Sequence, residues 1–463
     1  MMKFSLTNEF KEKLRLEIKN QNIDFIQKSF ENTSYVDITE LLYEFDSIDS
    51  KYVLDNIKID ISAKIISELD EDNRQNFLKI YSANEIARYL DIIDSDDGAD
   101  ILSELFFEKR NDVITFIKDS EKSKNLKELL QYDEDVAGGL MAIELVKCNI
   151  NWKINQCIEL IKKQAKNVEN IYSVYVTDDK GKLLGTVSLK DIILAKDNSS
   201  IKDVYDDYII SVDTHMNQEE VAQIMQKYDL TVLPVINKRG KLLGRITIDD
   251  VVDVITETAE EERQIMSGIT SDVEEDDSIW KLSNARLPWL VIGIVGGLFG
   301  AFFLGSFENN YFKNNQMFLS LSLFIPLIMA TAGNVGIQSS SIVIQSLSNP
   351  SAFESSVTNR LFKVLLVSII NGVVLSLLVY LGLIAFDYFG YLDFGIYSKT
   401  ALIVSVSLFS IVMLSSLLGT ITPIILDKLN FNPALASGPF ITTTNDLIAL
   451  AIYFIVALLL GGI

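Results

Sequence analysis

Histidine, cysteine and basic residues are scarce in this sequence, and each scarcity argues against a class of chemistry. His215 is the only histidine in 463 residues. A Ser-His-Asp triad and a histidine-rich metal centre are therefore disfavoured, and His215 reads as an ordinary surface residue. Cys148 and Cys157 are the only cysteines. Two thiols this close supply neither a disulfide framework nor a zinc-site spacing, which points to a reducing cytosol for the part that holds them. No nucleophile–base pair or phosphate loop is present, against an enzyme. No basic region followed by an apolar run opens the chain, against a cleaved signal peptide.

Basic residues number 41 against 63 acidic ones, a formal net charge of −22. Seven of the basic and six of the acidic residues lie beyond Trp280. Residues 1–280 thus hold 34 basic and 57 acidic side chains, net −23, while the last 183 residues are almost uncharged. Several domains are expected at this length. The front is acidic and soluble, and the tail is membrane. An acidic front argues against a nucleic-acid partner, which would call for a basic patch, and suits cations.

The first 130 residues contain no proline and no glycine before Gly98. Apolar residues recur at helical spacing, as in Ile61, Ile65, Ile66 and Leu69, then Ile86, Tyr89, Leu90 and Ile93. Helical stretches begin near Ala63, Ala87 and Val113 with acidic turns between. This period predicts a small stack of helical hairpins.

After the turn EDVAGGLM the pattern changes. Residues 172–193 read strand, turn, strand, helix start, and residues 231–252 repeat it. GKLLG occurs at Gly181–Gly185 and again at Gly240–Gly244, and each copy is followed by Ser/Thr-x-x-Asp: Ser188/Asp191 and Thr247/Asp250. A hydroxyl and a carboxylate so placed can cap a helix, and the carboxylate can equally reach a ribose hydroxyl. The repeat resembles a tandem cystathionine-β-synthase-type (CBS) pair, which implies an adenine nucleotide such as ATP as a ligand, with Ser188 and Asp191 as candidate contacts. From Asp249 a charged helix follows, then SDVEEDDSIW. Asp250, Asp253, Glu257, Glu260, Glu261 and Glu262 crowd it, and Arg263 is the only base before Lys281. Like charges three or four apart destabilise a helix unless neutralised, so a counter-cation is expected.

Five apolar segments, near 287–307, 316–347, 361–386, 400–426 and 436–463, are each long enough to span a bilayer. An odd number puts the termini on opposite sides. With the front cytosolic, inside flanks hold Lys281, Arg286, Arg360, Lys363 and Lys428, outside loops Lys313 and Lys399, in line with the positive-inside rule. The expected N-terminus is cytoplasmic and the C-terminus extracellular. Gly293, Gly296, Gly297 and Gly300 read as small-residue packing sites.

Two spans carry polar residues. In the second, Asn334, Gln338, Ser339, Ser340 and Ser341 lie in mid-segment, and Pro326, Gly333 and Gly336 are expected to loosen the helix where it lines a cavity. The fifth holds Thr442, Thr443, Thr444, Asn445 and Asp446. Asp446 is expected roughly 15 Å into its helix. A carboxylate there costs about 3 kcal/mol, and no basic residue in the tail is deep enough to neutralise it. A protonated helix–helix contact and a proton relay are the alternatives to a cation path. Oxygen donors without imidazole or thiolate favour Mg²⁺, Ca²⁺ or Mn²⁺. One carboxylate is few for Ca²⁺, whereas two Asp446 side chains across a two-fold axis suit a hydrated Mg²⁺.

Helical acidic domain, CBS pair, charged connecting helix and five spans, in that order, resemble the MgtE-type magnesium channels over essentially the whole chain. The most specific pieces are AGNVGIQSS from Ala332, YDLTVLPVI from Tyr228, and NPALASGPFITTTND from Asn432. The resemblance implies domains at 1–133 (acidic helical), 134–256 (CBS pair), 257–284 (connecting helix) and 285–463 (membrane). It implies Asp446, Asn334, Ser341 and Gly333 as pore positions, and Asp96, Asp100, Gly138, Glu219, Asp229, Asp250, Asp253, Glu261 and Glu262 as magnesium-sensing ones. Ile337 departs from the asparagine many relatives carry, and Asn217 and Thr258 stand where some have carboxylates. The implied function is a homodimeric, Mg²⁺-selective channel or transporter in the plasma membrane that takes up magnesium and is gated closed by cytosolic Mg²⁺. A proton-coupled divalent-cation carrier and a non-conducting magnesium sensor are the rival readings.

Overall fold

The computed structural model describes residues 7–164, 171–196, 199–270, 273, 275, 277–311, 316–348, 357–389, 397–436 and 438–461. Lys313 and the acidic Asp272, Glu274 and Asp276 of the charged stretch lie outside them. The chain divides into two compact units, Met1–Thr256 and Glu257–Ile463.

The first unit opens with ten short helices between Asn8 and Leu129. The helical stretches read from sequence each split in two at a polar break. Residues from Ala63 separate into Ile59–Glu68 and Glu71–Leu78 because Asp70 takes up an N-cap, its carboxylate accepting from the Asn73 amide at 3.0 Å. Ser82 and Glu85 close a reciprocal capping box on helix Ala83–Leu90. Helices two apart in sequence pack together: Ala83–Leu90 lies on Phe107–Phe116, and Ser95–Ser103 on Ser120–Leu129. Ile38, Leu41, Ile65, Leu90 and Leu102 fill the space between. Each short helix buries one stripe and is held by tertiary contact, being too short to persist alone.

Two three-stranded sheets follow with the same topology. β1 (Lys147–Asn149), β2 (Val174–Thr177) and β3 (Leu183–Val187) pair in that order, β1 parallel and β3 antiparallel to β2. β4 (Val212–Asp213), β5 (Val232–Ile236) and β6 (Leu242–Thr247) repeat this, with the ladder irregularity at the matching place. The duplicated GKLLG has a geometric reason. Its first glycine takes the left-handed turn, φ +79° at Gly181 and +75° at Gly240, which other residues rarely adopt. The two turns also bond to each other, Leu183 N to Gly240 O at 3.0 Å and Leu242 N to Gly181 O at 3.1 Å. The last glycine lets another backbone segment close on the strand, Asp206 at Gly185 and Ala142 at Gly244. Cys148 and Cys157 are both buried beside the first sheet, as free thiols.

Helix Ile248–Met266 leaves the second repeat and ends in the left-handed Gly268. The connecting helix therefore stops well before residue 284, because Gly268 turns the chain. The next helix already starts at Ile279.

Among the described residues of the second unit, five helices are long and apolar enough to cross a membrane. They are Ile279–Tyr311, Ile325–Ser348, Val357–Tyr388, Tyr397–Lys428 and Gly438–Gly461. The second span begins later than the apolar run suggests: Gln316–Ser322 forms a separate short helix before it. The expected loosening of the second span is not observed. Ile325–Ser348 runs as one helix, with Pro326 in its first turn, where a missing amide costs nothing. Gly333 and Gly336 are used for close approach instead. The second span packs between the fourth and fifth, and Leu321, Ile328, Ala332, Val404, Ile411, Tyr453 and Phe454 form the core. The Tyr453 hydroxyl donates to the Leu321 carbonyl at 2.8 Å.

Candidate metal centres

In the first unit the carboxylates gather around helix Ser95–Ser103. That helix is anchored by Glu144, a residue from beyond the helical stack. Glu144 Oε2 accepts from Ser95 Oγ at 2.5 Å and from Ser95 N at 3.2 Å. Ser95 Oγ in turn accepts from the Ile143 amide at 2.9 Å. Lys122 donates to Glu144 Oε1 at 3.3 Å and also to the Ile93 carbonyl. The first turn of the helix carries Asp96 and Asp97, on which the charge of Asp250 on helix Ile248–Met266 acts.

Burial, then the charges of Asp97, Asp250, Asp94 and Glu144, pushes the Asp96 carboxyl well above the usual carboxylate range. Asp97 is raised to about 7 by burial and by Asp250 and Asp94, against the pull of Arg74. Asp100 also rises to about 7, through burial and Asp97. Asp97 and Asp100 each keep one side exposed to solvent. Asp250 rises to about 6 from burial, opposed by hydrogen bonds from Thr247 N at 2.9 Å and Thr247 Oγ1 at 2.7 Å. Asp253 is raised by burial and by Asp249. Arg74 is committed elsewhere: it forks onto Glu104, and its Nη1 donates to the Ser67 and Leu69 carbonyls at 2.8 and 3.0 Å. The cluster is close enough to repel. Among the described residues, however, no group of three or more acidic, histidine or cysteine side chains could by itself hold a metal ion.

Glu219 and Asp229 lie exposed at the two ends of helix Gln218–Lys227, Asp229 in the left-handed region at φ +52°. Asn217 caps that helix, accepting from the Glu219 amide at 2.8 Å. Gly138 has a packing reason to be glycine: a Cβ would strike the Tyr132 ring, and its amide donates to the Thr214 carbonyl at 2.9 Å. Ser188 caps helix Leu189–Leu194, accepting from the Asp191 amide at 3.0 Å and donating to the Asp191 carboxylate at 2.5 Å. Glu261 and Glu262 sit on the second half of helix Ile248–Met266, Glu261 exposed.

In the second unit Asp446 lies eight residues into helix Gly438–Gly461, about 12 Å from its start at 1.5 Å per residue. It lines a cavity of about 200 Å³ with Thr443, Leu447, the glycine stripe of the first span and Met329. Gly333 of the second span faces it: a Cβ there would lie 3.8 Å from Asp446 Oδ1 and 3.1 Å from Thr442 Cγ2. Asp446 and Gly333 are thus brought together. Asn334 is exposed on another face of the second span and Ser341 is half-buried two turns on.

Residues 325–456 match the MgtE divalent cation transporter family, 33–135 the MgtE intracellular N domain, and 135–198 and 201–257 the CBS domain. The magnesium transporter MgtE of Enterococcus faecalis is 31% identical over 415 residues, covering 84% of this chain and 88% of the relative. The chain belongs to the MgtE family. The MgtE magnesium transporter of Thermus thermophilus is 30% identical over 407 residues, 86% of this chain and 87% of that protein. Among solved structures, the cytosolic domain of the Mg²⁺ channel MgtE in complex with ATP is similar at 29% identity and a TM-score of 0.50. It matches 53% of this chain and 99% of that one.

Within this MgtE chain, sequence reasoning missed four carboxylates of the cluster. Asp94 and Asp97 stand in the same run, DSDDGAD, as Asp96 and Asp100, and were hidden because acids at a helix start read as capping groups. Glu144 and Glu134, which act on Asp96 and Asp100, carry no local signal, since only the tertiary fold brings them there.

Proposed function

We propose that this chain is a Mg²⁺-selective channel or transporter that takes up magnesium across the plasma membrane as a homodimer, with the pore on the two-fold axis. The observation that carries the reading is Asp446. It is a carboxylate in the interior of the nearly uncharged stretch beyond Trp280, beside the glycine face of the second span and open to a cavity. An intramembrane carboxylate of this kind marks an ion path. Oxygen-only donors and a single carboxylate per chain suit a cation that keeps most of its waters, as Mg²⁺ does. Asn334, Ser341 and Gly333 are assigned to the same path. The relatives named magnesium transporters support the substrate.

Gating follows from the acidic cluster. Asp96, Asp100, Asp250 and Asp253, together with Glu219, Asp229, Glu261, Glu262 and Gly138, sense cytosolic Mg²⁺. Bound cation cancels repulsion that reaches about 4 kcal/mol per close pair at an effective dielectric of 20, and the compact arrangement closes the path. The N-terminus is cytoplasmic and the C-terminus extracellular. The CBS pair takes an adenine nucleotide, a reading supported by the related domain crystallised with ATP; Ser188 and Asp191 then combine capping with a ribose contact.

The test is Mg²⁺ flux in proteoliposomes, with and without a proton gradient, at low and millimolar Mg²⁺ on the cytosolic face. The expected result is flux without a proton gradient that falls as cytosolic Mg²⁺ rises, and trypsin protection near Arg263 and Lys281 at high Mg²⁺. Flux that requires a proton gradient selects the carrier. No flux, with Mg²⁺-dependent trypsin protection retained, selects the sensor.

A further inference from the structure

Beside Asp446 the membrane unit holds a buried amide for which the proposed transport gives no role. Asn445, next to Asp446 on the fifth span, is 1% exposed. Neither its Nδ2 nor its Oδ1 has a hydrogen-bond partner among the described residues, and the same is true of Asp446 Oδ1. Several hydroxyls of the same spans are paired. The Ser339 and Ser416 hydroxyls share a hydrogen bond of 2.9 Å, Ser340 Oγ donates to the Ala436 carbonyl at 2.9 Å, and Thr442 Oγ1 to the Gly438 carbonyl at 2.8 Å.

The backbone holds Asn445 in place. A Cβ on Gly336 would collide with its Nδ2, and a Cβ on Gly419 would collide with the Gly336 carbonyl. The second span is therefore closely approached by the fourth and fifth at Gly336. Gly333, three residues earlier, faces Asp446. Asn445 and Asp446 stand against one glycine strip of the second span, at positions about 4.5 Å apart along it.

Packing alone gives no reason for an amide here. An apolar residue of like size would fill the notch without burying an unpaired donor and acceptor, whose desolvation in a membrane interior costs several kcal/mol. Buried amides without protein partners are the usual holders of ordered water. We infer that Asn445 binds a water molecule between the second and fifth spans and through it holds the Asp446 carboxylate in the cation path. Asn445 is then a positioning residue for transport. This inference rests on the reading of Asp446 as the path carboxylate.

Alanine and serine differ at this position by one hydroxyl and almost nothing in volume, so the comparison separates water binding from packing. In full-length protein reconstituted in vesicles, Asn445→Ala lowers Mg²⁺ flux about tenfold or more, the worth of one hydrogen bond to a charged group, while Asn445→Ser keeps most of it. Thermal stability in detergent is the same for the two. Equal flux in the two variants, with Asp446→Asn inactive, overturns the inference and leaves the path intact. Wild-type flux that survives Asp446→Asn removes the path reading and this inference with it. If the small side chains impair insertion, Asn445→Thr and Asn445→Val, nearly isosteric, replace them. Thr is expected to conduct well above Val, and equality again overturns the inference.

Discussion

Helix Ser95–Ser103 in the first unit and helix Gly438–Gly461 in the second both place a carboxylate where water is scarce, but they surround it differently. Asp96 meets Asp94, Asp97, Asp250 and Glu144, and the neighbouring Arg74 is spent on Glu104. Asp446 has glycines, threonine and leucine around it, and no second charge among the residues that line its cavity. Crowded carboxylates repel, so their arrangement responds to how much cation is present. A solitary carboxylate in an apolar wall attracts a passing cation at any concentration and has little else to respond to. On the proposed reading, the same functional group would serve a reversible conformational balance in one unit and a steady attraction in the other.

The strongest way to break this comparison is to delete each kind of charge. A cation about 4 Å from a carboxylate gains about 4 kcal/mol at an effective dielectric of 20. Asp446→Asn should therefore cut Mg²⁺ flux by roughly two to three orders of magnitude, with membrane insertion unchanged by size-exclusion chromatography. Asp96→Asn, tested beside it, should leave maximal flux at low Mg²⁺ within about twofold, because one hydrogen-bonding neutral side chain replaces one repelling charge. An equal loss in the two proteins would erase the distinction between path and sensor.

A smaller effect sharpens the crowded side. Arg74→Met removes one partner of a largely buried ion pair and leaves Glu104 uncompensated, which costs about 3 kcal/mol. It also takes away the positive charge that restrains Asp97 and Asp100. The unfolding transition of the first unit, followed by circular dichroism without divalent cation, should move to lower temperature. Millimolar Mg²⁺ should restore part of the difference.

The gentlest test is pH. Asp96, Asp97, Asp100 and Asp250 are raised in the folded protein, three of them to between about 6 and 7. Folding therefore favours their protonated forms. The stability linked to them is fully present below about pH 4, where unfolded aspartates also take up protons, and is lost as pH rises through 6 to 7. Without divalent cation the first unit should melt at progressively lower temperature between pH 5 and about 8. With Mg²⁺ the slope should flatten, and a slope indifferent to Mg²⁺ would count against cation binding at the cluster.

Much of this was legible along the chain. The split between an acidic front and an uncharged tail, the five apolar runs and the repeated GKLLG all depend on residues close together in sequence. The helical period of the first 130 residues showed hairpins but not their joints, since Asp70 and Asp119 act as caps that break runs whose apolar pattern continues. Proline and glycine in the second span suggested an opened helix. Their actual use, a first-turn proline and glycines that admit Thr442 and Asn445 of the fifth span, is visible only once the partner helix is in place.

What the sequence by itself determined is therefore the kind of molecule: a membrane transporter with an acidic front and one deep carboxylate. Composition and period decide this because burial in water or lipid depends on the polarity of each segment. Only the tertiary structure decided which charges meet. Glu144 reaches Ser95 from 49 residues away, Asp250 acts on Asp96 from the far end of the unit, and Asn445 lies against Gly336 without a hydrogen-bond partner among the described residues. Electrostatic and hydrogen-bond energies are set by distance in space, which spacing along the chain does not encode.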